Sequence, residues 1–183
     1  ILLLRFNRER ARMELQHQKT HDVLTGLPNR LALENQLRDA HGPAAGELRP
    51  TLALIDLDDF KAINDAFGLE TGDTLLATVA TRLAERDRGD HFLARTGGDA
   101  FAILIPVGQD PLAVAHRALA AISAPIVWGA HSHTIRASVG LAEVGDCRHR
   151  SALRAAETAL YEGTRSAGTR VAGASREPLA PGE

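Results

Sequence analysis

A glycine turn between two apolar runs is the feature that most restricts how this chain folds. Gly97 and Gly98 stand between the runs at residues 92–95 and 101–105, and Asp99 follows them directly. Glycine reaches the positive φ of a tight hairpin easily and has no Cβ to keep a phosphate or a metal ion away from the backbone. The pattern predicts two strands of a buried sheet whose connecting turn holds Asp99 on an exposed rim.

A second acidic cluster, Asp56, Asp58 and Asp59, comes at the end of the apolar run 52–55. Carboxylates at the ends of neighbouring strands suit Mg²⁺, which takes oxygen ligands in a near-octahedral shell shared with substrate phosphates. Acidic residues after a strand are also common helix N-caps, and Asp58 or Asp59 could cap a helix that starts near Phe60. A Gly-Gly-Asp turn alone is most often only a hairpin, so neither cluster identifies a metal site by itself.

Three further motifs make the pattern specific. Residues 21–30 read HDVLTGLPNR, residues 60–73 read FKAINDAFGLETGD, and residues 137–141 read ASVGL. Together with the glycine turn they strongly resemble the GGDEF family, the diguanylate cyclase domains of bacterial second-messenger signalling. The resemblance runs from about His21 to Val171. It implies a palm-like domain in which helices flank a central mixed sheet, preceded by an N-terminal signalling helix.

The order of the sequence patterns is also that of an α+β (α/β) fold. Besides the two hairpin strands, we expect strands at residues 51–57 and near 134–144. We expect helices near residues 28–40, 71–88, 111–122 and 151–167, the second of them capped by Thr71.

The chain divides into a linker or the end of a transmembrane helix at 1–20, a GGDEF domain at 21–172, and a C-terminal linker or tail at 173–183. The apolar start at 1–6 is too short to cross a bilayer, which takes about 20 apolar residues. It reads equally well as the clipped end of a membrane helix or as the start of a helical linker. In the resembled family, helices in this place couple an upstream sensor to dimer geometry.

Charge and cysteine content narrow the class of protein. The formal net charge of −2 lacks the basic excess of a nucleic-acid binder. The single Cys147 excludes an internal disulfide and suits a reducing compartment. We therefore expect a cytoplasmic domain, and anchoring to an inner membrane stays open.

The resemblance implies that two GTP molecules are joined into cyclic di-GMP, with pyrophosphate as the leaving group. The 3′ hydroxyl of one GTP attacks the α-phosphate of the other, so catalysis depends mainly on metal charge and alignment. We expect Asp56 and Asp99 to be the catalytic residues and the ligands of Mg²⁺ or Mn²⁺. The backbone carbonyl of Leu57 is a third ligand by analogy with the family.

Five residues are expected to bind the substrate in this region. The backbone amides of Asp59, Phe60 and Lys61 should face the triphosphate from the start of a helix. The Lys61 ammonium could add a point charge, or it could be an ordinary solvated lysine. Asn64 and Glu70 suit the edge of guanine, since the amide both donates and accepts and the carboxylate accepts from N1 and N2. The family has an asparagine and an aspartate here, so Glu70 departs from it by one carbon.

Other departures affect activity. The family signature has a second acid after Asp99, where this chain has Ala100. Losing one such group commonly costs a factor of about 10² to 10³ in rate. The family's last helix also carries a lysine and an arginine that hold the triphosphate. An ungapped match places Thr164 and Gly168 there, whereas a shift of one residue gives Arg165 the role of the lysine.

The family's product-inhibition motif is an arginine and an aspartate three residues apart. Here Arg88 is followed by His91 in place of the acid. We therefore expect no feedback by cyclic di-GMP at that position.

Two functions remain. One is a weak or conditional diguanylate cyclase, a homodimer that brings two GTP-loaded half-sites face to face. The other is a catalytically inactive GTP-binding domain that regulates an adjacent module such as a cyclic di-GMP phosphodiesterase.

Overall fold

The structure, a computed structural model, describes residues 19–40, 49–87, 89–128, 131–145, 149–165 and 171–173. The predictions for residues 1–18, for Arg88, for Gly168 and for the tail at 174–183 lie outside these ranges. Within them, no helix is both long enough and apolar enough to cross a membrane.

The elements follow one another in the order α1 (Arg30–Asp39), β1 (Thr51–Leu57), α2 (Phe60–Phe67), α3 (Leu69–Asp87), β2 (Phe92–Gly97), β3 (Ala100–Ile105), α4 (Pro111–Ser123), β4 (Ile126–Trp128), β5 (His131–His133), β6 (Ala137–Glu143), α5 (His149–Arg165) and β7 (Val171–Gly173). The strand predicted at 51–57 is confirmed to the residue. The prediction of Thr71 as a cap is wrong, because α3 begins at Leu69 and the Thr71 hydroxyl donates to the Phe67 carbonyl, 2.9 Å away. The hairpin of β4 and β5 was not predicted.

Strand β1 lies at the centre of a five-stranded sheet of order β2-β3-β1-β6-β7. It pairs antiparallel with β3 and with β6, while β6 and β7 pair in parallel. The sheet is therefore mixed, as expected.

Both faces of the sheet are covered, because the side chains of β1 alternate between two apolar clusters. Ala53, Ile55 and Leu57 belong to the cluster that contains α3 and α4. Leu52 and Leu54 belong to the cluster that contains α1 and α5. In this otherwise buried strand only Asp56 is partly open to solvent. The fold thus presents one carboxylate at the end of its most buried strand.

Candidate active site at the end of strand β1

The glycine turn folds over the end of β1. Gly97 and Gly98 have φ values of 136° and 55°, the positive values that the sequence predicted. The Leu57 amide donates to the Asp99 carbonyl at 3.3 Å, which ties the turn to the central strand. Gly97 and Gly98 are exposed and Asp99 is half-buried beside them. The two acidic clusters therefore meet at the end of the central strand β1.

Asp56 lies in an environment that disfavours its negative charge. Burial, together with the negative charges of Asp99 and Asp58, raises the pKa of Asp56 to about 6. A carboxylate surrounded in this way is easier to protonate, since each neighbouring negative charge disfavours its ionised form. A divalent cation would reverse that effect.

Asp56 and Asp99 fit a magnesium site in which the substrate supplies further ligands. Among the described residues, no three His, Cys, Asp or Glu side chains are grouped closely enough to hold a metal ion by themselves. Mg²⁺ commonly takes only one or two carboxylates and fills its shell with water and substrate phosphates. Asp56 and Asp99 match that donor set, with the Leu57 carbonyl as a predicted third.

Helix α2 begins without a side-chain cap. Asp59 occupies the N-cap position in the left-handed region, with φ 57° and ψ 23°, and its side chain caps no amide. Its carbonyl accepts from the amides of Ala62 and Ile63 at 2.9 and 3.3 Å. The amides of Phe60 and Lys61 precede these bonds and lie at the positive end of the helix, as an anion site requires. Neither acid acts as a side-chain cap, because the Asp58 carboxylate accepts instead from the Ser138 hydroxyl at 2.9 Å.

A cavity of about 460 Å³ joins these features, and it is lined by Asp56, Leu57, Asp58, Asp59, Phe60, Lys61, Asp99, Arg136 and Ser138. It brings together six of the residues predicted from the sequence. Ser138 belongs to the third motif, which was recognised without a role. Arg136 was missed, because it stands alone before a strand and nothing in the local sequence marks it.

Asn64 lies outside the lining of that cavity, against α3. Its side-chain oxygen is buried and has no hydrogen-bond partner within the described structure. Gly72 packs so closely on it that a Cβ at that position would overlap the Asn64 oxygen. A buried acceptor without a donor is costly to a folded protein, and an N–H donor that reached the Asn64 oxygen would remove that cost.

Glu70 is exposed in the first turn of α3. Successive residues rotate by about 100° around a helix, so Glu70 is separated from Gly72 by about 160° and the exposed Asp73 by only about 100°. Asp73 is thus turned less far from the Asn64 amide than Glu70. Sequence reasoning could have included Asp73, which belongs to the same motif.

Arg165 is the last residue of α5. The structure describes no position for its side chain, and Gly168 lies outside the described residues. The alternative alignments of the basic element therefore stay predictions.

An ion pair that the sequence did not reveal braces the glycine turn. Arg95 donates to the Asp22 carboxylate at 2.8 Å and, through Nη2 and Nε, to the Gly98 carbonyl at 2.7 and 3.1 Å. Burial alone would raise the pKa of Asp22, but the hydrogen bonds from Thr25 and Arg95 outweigh it and hold the pKa below its ordinary value. The first motif thus supports the turn that carries Asp99.

His91 stands where the product-inhibition motif would have its acid. Its ring contacts the Asp87 carboxylate through Nδ1 and Gln109 Oε1 through Nε2, the latter at 2.7 Å. Only 4% of its side chain is exposed. Both ring nitrogens are therefore engaged within the protein.

Comparison with known proteins shows the family of the chain. The family model described as "Diguanylate cyclase, GGDEF domain" matches residues 19–170. The chain is 39% identical over 158 residues to the bifunctional diguanylate cyclase/cyclic di-GMP phosphodiesterase MucR of Pseudomonas aeruginosa. That match covers 83% of the chain but only 23% of MucR.

Solved structures give the same picture of the fold. The coiled coil and GGDEF domain of DgcB from Caulobacter crescentus, solved with cyclic di-GMP, is 29% identical with a TM-score of 0.77. The match covers 94% of this chain and 95% of that one. Diguanylate cyclase SiaD of Pseudomonas aeruginosa, solved with its activator SiaC, is 27% identical with a TM-score of 0.79, over 94% of this chain and 69% of that one.

Proposed function

The chain belongs to the GGDEF family of diguanylate cyclase domains, and from that premise we propose that it binds GTP with Mg²⁺ or Mn²⁺ in the cavity at the end of β1. The observation that carries this proposal is the meeting of Asp56 and Asp99 beside the uncapped start of α2. Two carboxylates suit a cation, and the helix start next to them suits a phosphate.

Each part of the site has a role in this proposal. A bound divalent cation would neutralise the charge that develops on the α-phosphate oxygens. Asp56 and Asp99 hold that cation, with the Leu57 carbonyl beside them. The amides of Asp59, Phe60 and Lys61 bind the phosphates, and the Lys61 ammonium adds charge at the same place. Arg165 completes the phosphate contacts in the shifted alignment of α5.

Guanine binds beside Asn64. The unsatisfied oxygen of this side chain accepts an N–H from the base, and a carboxylate of α3 accepts from guanine N1 and N2. Glu70 was predicted for the second contact, whereas the helical phase favours Asp73.

Turnover is the point on which two functions differ. A homodimer of GTP-loaded domains would synthesise cyclic di-GMP, at a rate reduced by the loss of the acid at Ala100. Ala100 itself supports the second candidate, a GTP-binding domain that regulates an adjacent phosphodiesterase module. MucR carries both activities in its name, and the chain spans less than a quarter of its length.

One experiment tests both levels of the proposal. Purified protein is titrated with GTP in Mg²⁺ and in chelator by calorimetry, and the Mg²⁺ sample is then analysed for cyclic di-GMP by chromatography. We expect GTP to bind only with the metal and Asp56→Asn to weaken that binding sharply without changing the fold. Equal affinity in chelator contradicts the metal site, whereas binding without product identifies the regulatory function.

A further inference from the structure

Arg136 is an arginine in the cavity at the end of β1 that the family resemblance does not explain. It immediately precedes β6, and its carbonyl accepts from the Asp58 amide at 2.9 Å. This backbone bond fixes the residue beside the acidic end of β1. Arg136 lines the cavity together with Lys61.

The guanidinium of Arg136 is only loosely paired. Its Nη2 lies 3.8 Å from Oδ2 of Asp59, beyond hydrogen-bond distance, and the two side chains are 60% and 78% exposed. Exposed pairs of this kind contribute little to folding because water screens them. The guanidinium can therefore leave Asp59 for a more strongly charged anion at small cost.

The cavity carries more negative than positive side chains, so a bound triphosphate needs a cation such as the Arg136 guanidinium. Four carboxylates line it, from Asp56, Asp58, Asp59 and Asp99, against the two positive side chains of Lys61 and Arg136. A triphosphate would add further negative charge. In the ungapped alignment the last helix offers no cation for it, because Thr164 and Gly168 stand at the family's basic positions.

We propose that Arg136 is a substrate-binding residue whose guanidinium holds the β- and γ-phosphates of GTP. Its planar fork donates two parallel hydrogen bonds to phosphate oxygens, which an ammonium group does less well. The Arg136 guanidinium lies near the proposed phosphate site, because its neighbour Asp59 is the N-cap residue of α2. Arg136, the residue before β6, thus supplies a charge that α5 lacks in the ungapped alignment. This inference rests on the proposed binding of GTP.

Calorimetry with nucleotides of decreasing phosphate number tests the assignment. Three nucleotides are used: GDP, GMP and the α,β-methylene analogue of GTP. Each is titrated in Mg²⁺ into the parent protein, into Arg136→Gln and into Arg136→Lys. Arg117→Gln is the matched control, an exposed arginine of α4 that lines a different cavity with Asp87 and His91. Thermal denaturation of every variant checks that the fold is unchanged.

We expect Arg136→Gln to weaken the GTP analogue and GDP about tenfold or more and to leave GMP unchanged, because a charge-assisted hydrogen bond is lost beyond the α-phosphate. Arg136→Lys should be intermediate, and Arg117→Gln should match the parent. Equal losses for all three nucleotides, or no loss for the GTP analogue, overturn the assignment of Arg136 while GTP binding stands. A parent protein that binds none of the nucleotides overturns the proposed function as well.

Discussion

Ala100 lies directly opposite Asp56 in the antiparallel pair of β3 and β1. Residues paired in this way project to the same face of the sheet, with Cβ atoms about 5 Å apart. The position where the family signature has its second acid is thus beside the carboxylate that ends the central strand. Replacing that acid by a methyl group removes a negative charge from beside Asp56, at the proposed metal site.

Restoring the acid with Ala100→Glu should therefore raise cyclic di-GMP synthesis by a factor of about 10². The position is half-buried at the start of β3, so the longer side chain can extend toward the opening next to Asp56. Ala100→Gln is the control, since it has the same size without the charge. Product is measured by chromatography from GTP and Mg²⁺. A glutamate variant that binds GTP as a dimer yet stays inactive would locate the defect elsewhere, at Thr164 and Gly168, and favour the regulatory function.

The pKa of Asp56 predicts how stability depends on pH in the absence of metal. Its value of about 6 in the folded protein exceeds the ordinary 3.8, so folding favours the protonated form. The stability that Asp56 contributes is therefore present in full below about pH 4 and is lost as the pH rises through 6. Asp56→Asn, which stays neutral, should not show this loss.

Melting temperatures from pH 4 to pH 7 in chelator check this sign. We expect the variant to melt about 2 °C above the parent at pH 7 and at nearly the same temperature at pH 4, a small shift because solvent screens a half-exposed group. Mg²⁺ with GTP should stabilise only the parent. A difference that shrinks toward pH 7 would contradict the assigned environment of Asp56.

Base selectivity should distinguish the two acidic residues of α3. Asn64→Ala should weaken GTP about tenfold and reduce its preference over ATP, because the buried contact to guanine is lost. The helical phase predicts that Asp73→Ala has a similar effect and that Glu70→Ala has less. Competition of ATP against labelled GTP measures the preference. If Glu70→Ala is the more damaging change, the carboxylate assigned from the sequence is the correct one.

The brace between Arg95 and Asp22 should stabilise the glycine turn. Arg95→Lys keeps the charge but loses the fork that holds the Asp22 carboxylate and the Gly98 carbonyl. We expect it to lower the free energy of unfolding by about 1 to 3 kcal/mol. Amide hydrogen exchange at Gly98 and Asp99 should become faster.

Asp22→Asn provides the matching half of a double-variant cycle. Because the two side chains contact each other, the effects of Asp22→Asn and Arg95→Lys should add to more than the effect of the double variant. Strict additivity of the unfolding free energies would show that the pair does not act as a unit.

Local patterns determined much of this protein. The apolar run of β1, the two glycines and the helical spacing of α3 depend on residues that are close together in the sequence. The sequence therefore predicted these elements and, through its motifs, the family. The shortest strands could not be predicted from the sequence. The three-residue strands β4, β5 and β7 are too brief to show a period, and their existence depends on what they pair with.

Only the tertiary structure determined which distant residues meet at the site. Asp58 meets Ser138 across 80 positions of sequence, and Arg95 meets Asp22 across 73. Arg136 enters the cavity because β6 pairs with β1, and no periodicity near residue 136 marks that pairing. Sequence patterns indicate which residues of a helix or strand lie on the same face of it. The sheet register and the packing of helices determine which of those faces meet, and these depend on contacts between distant parts of the chain.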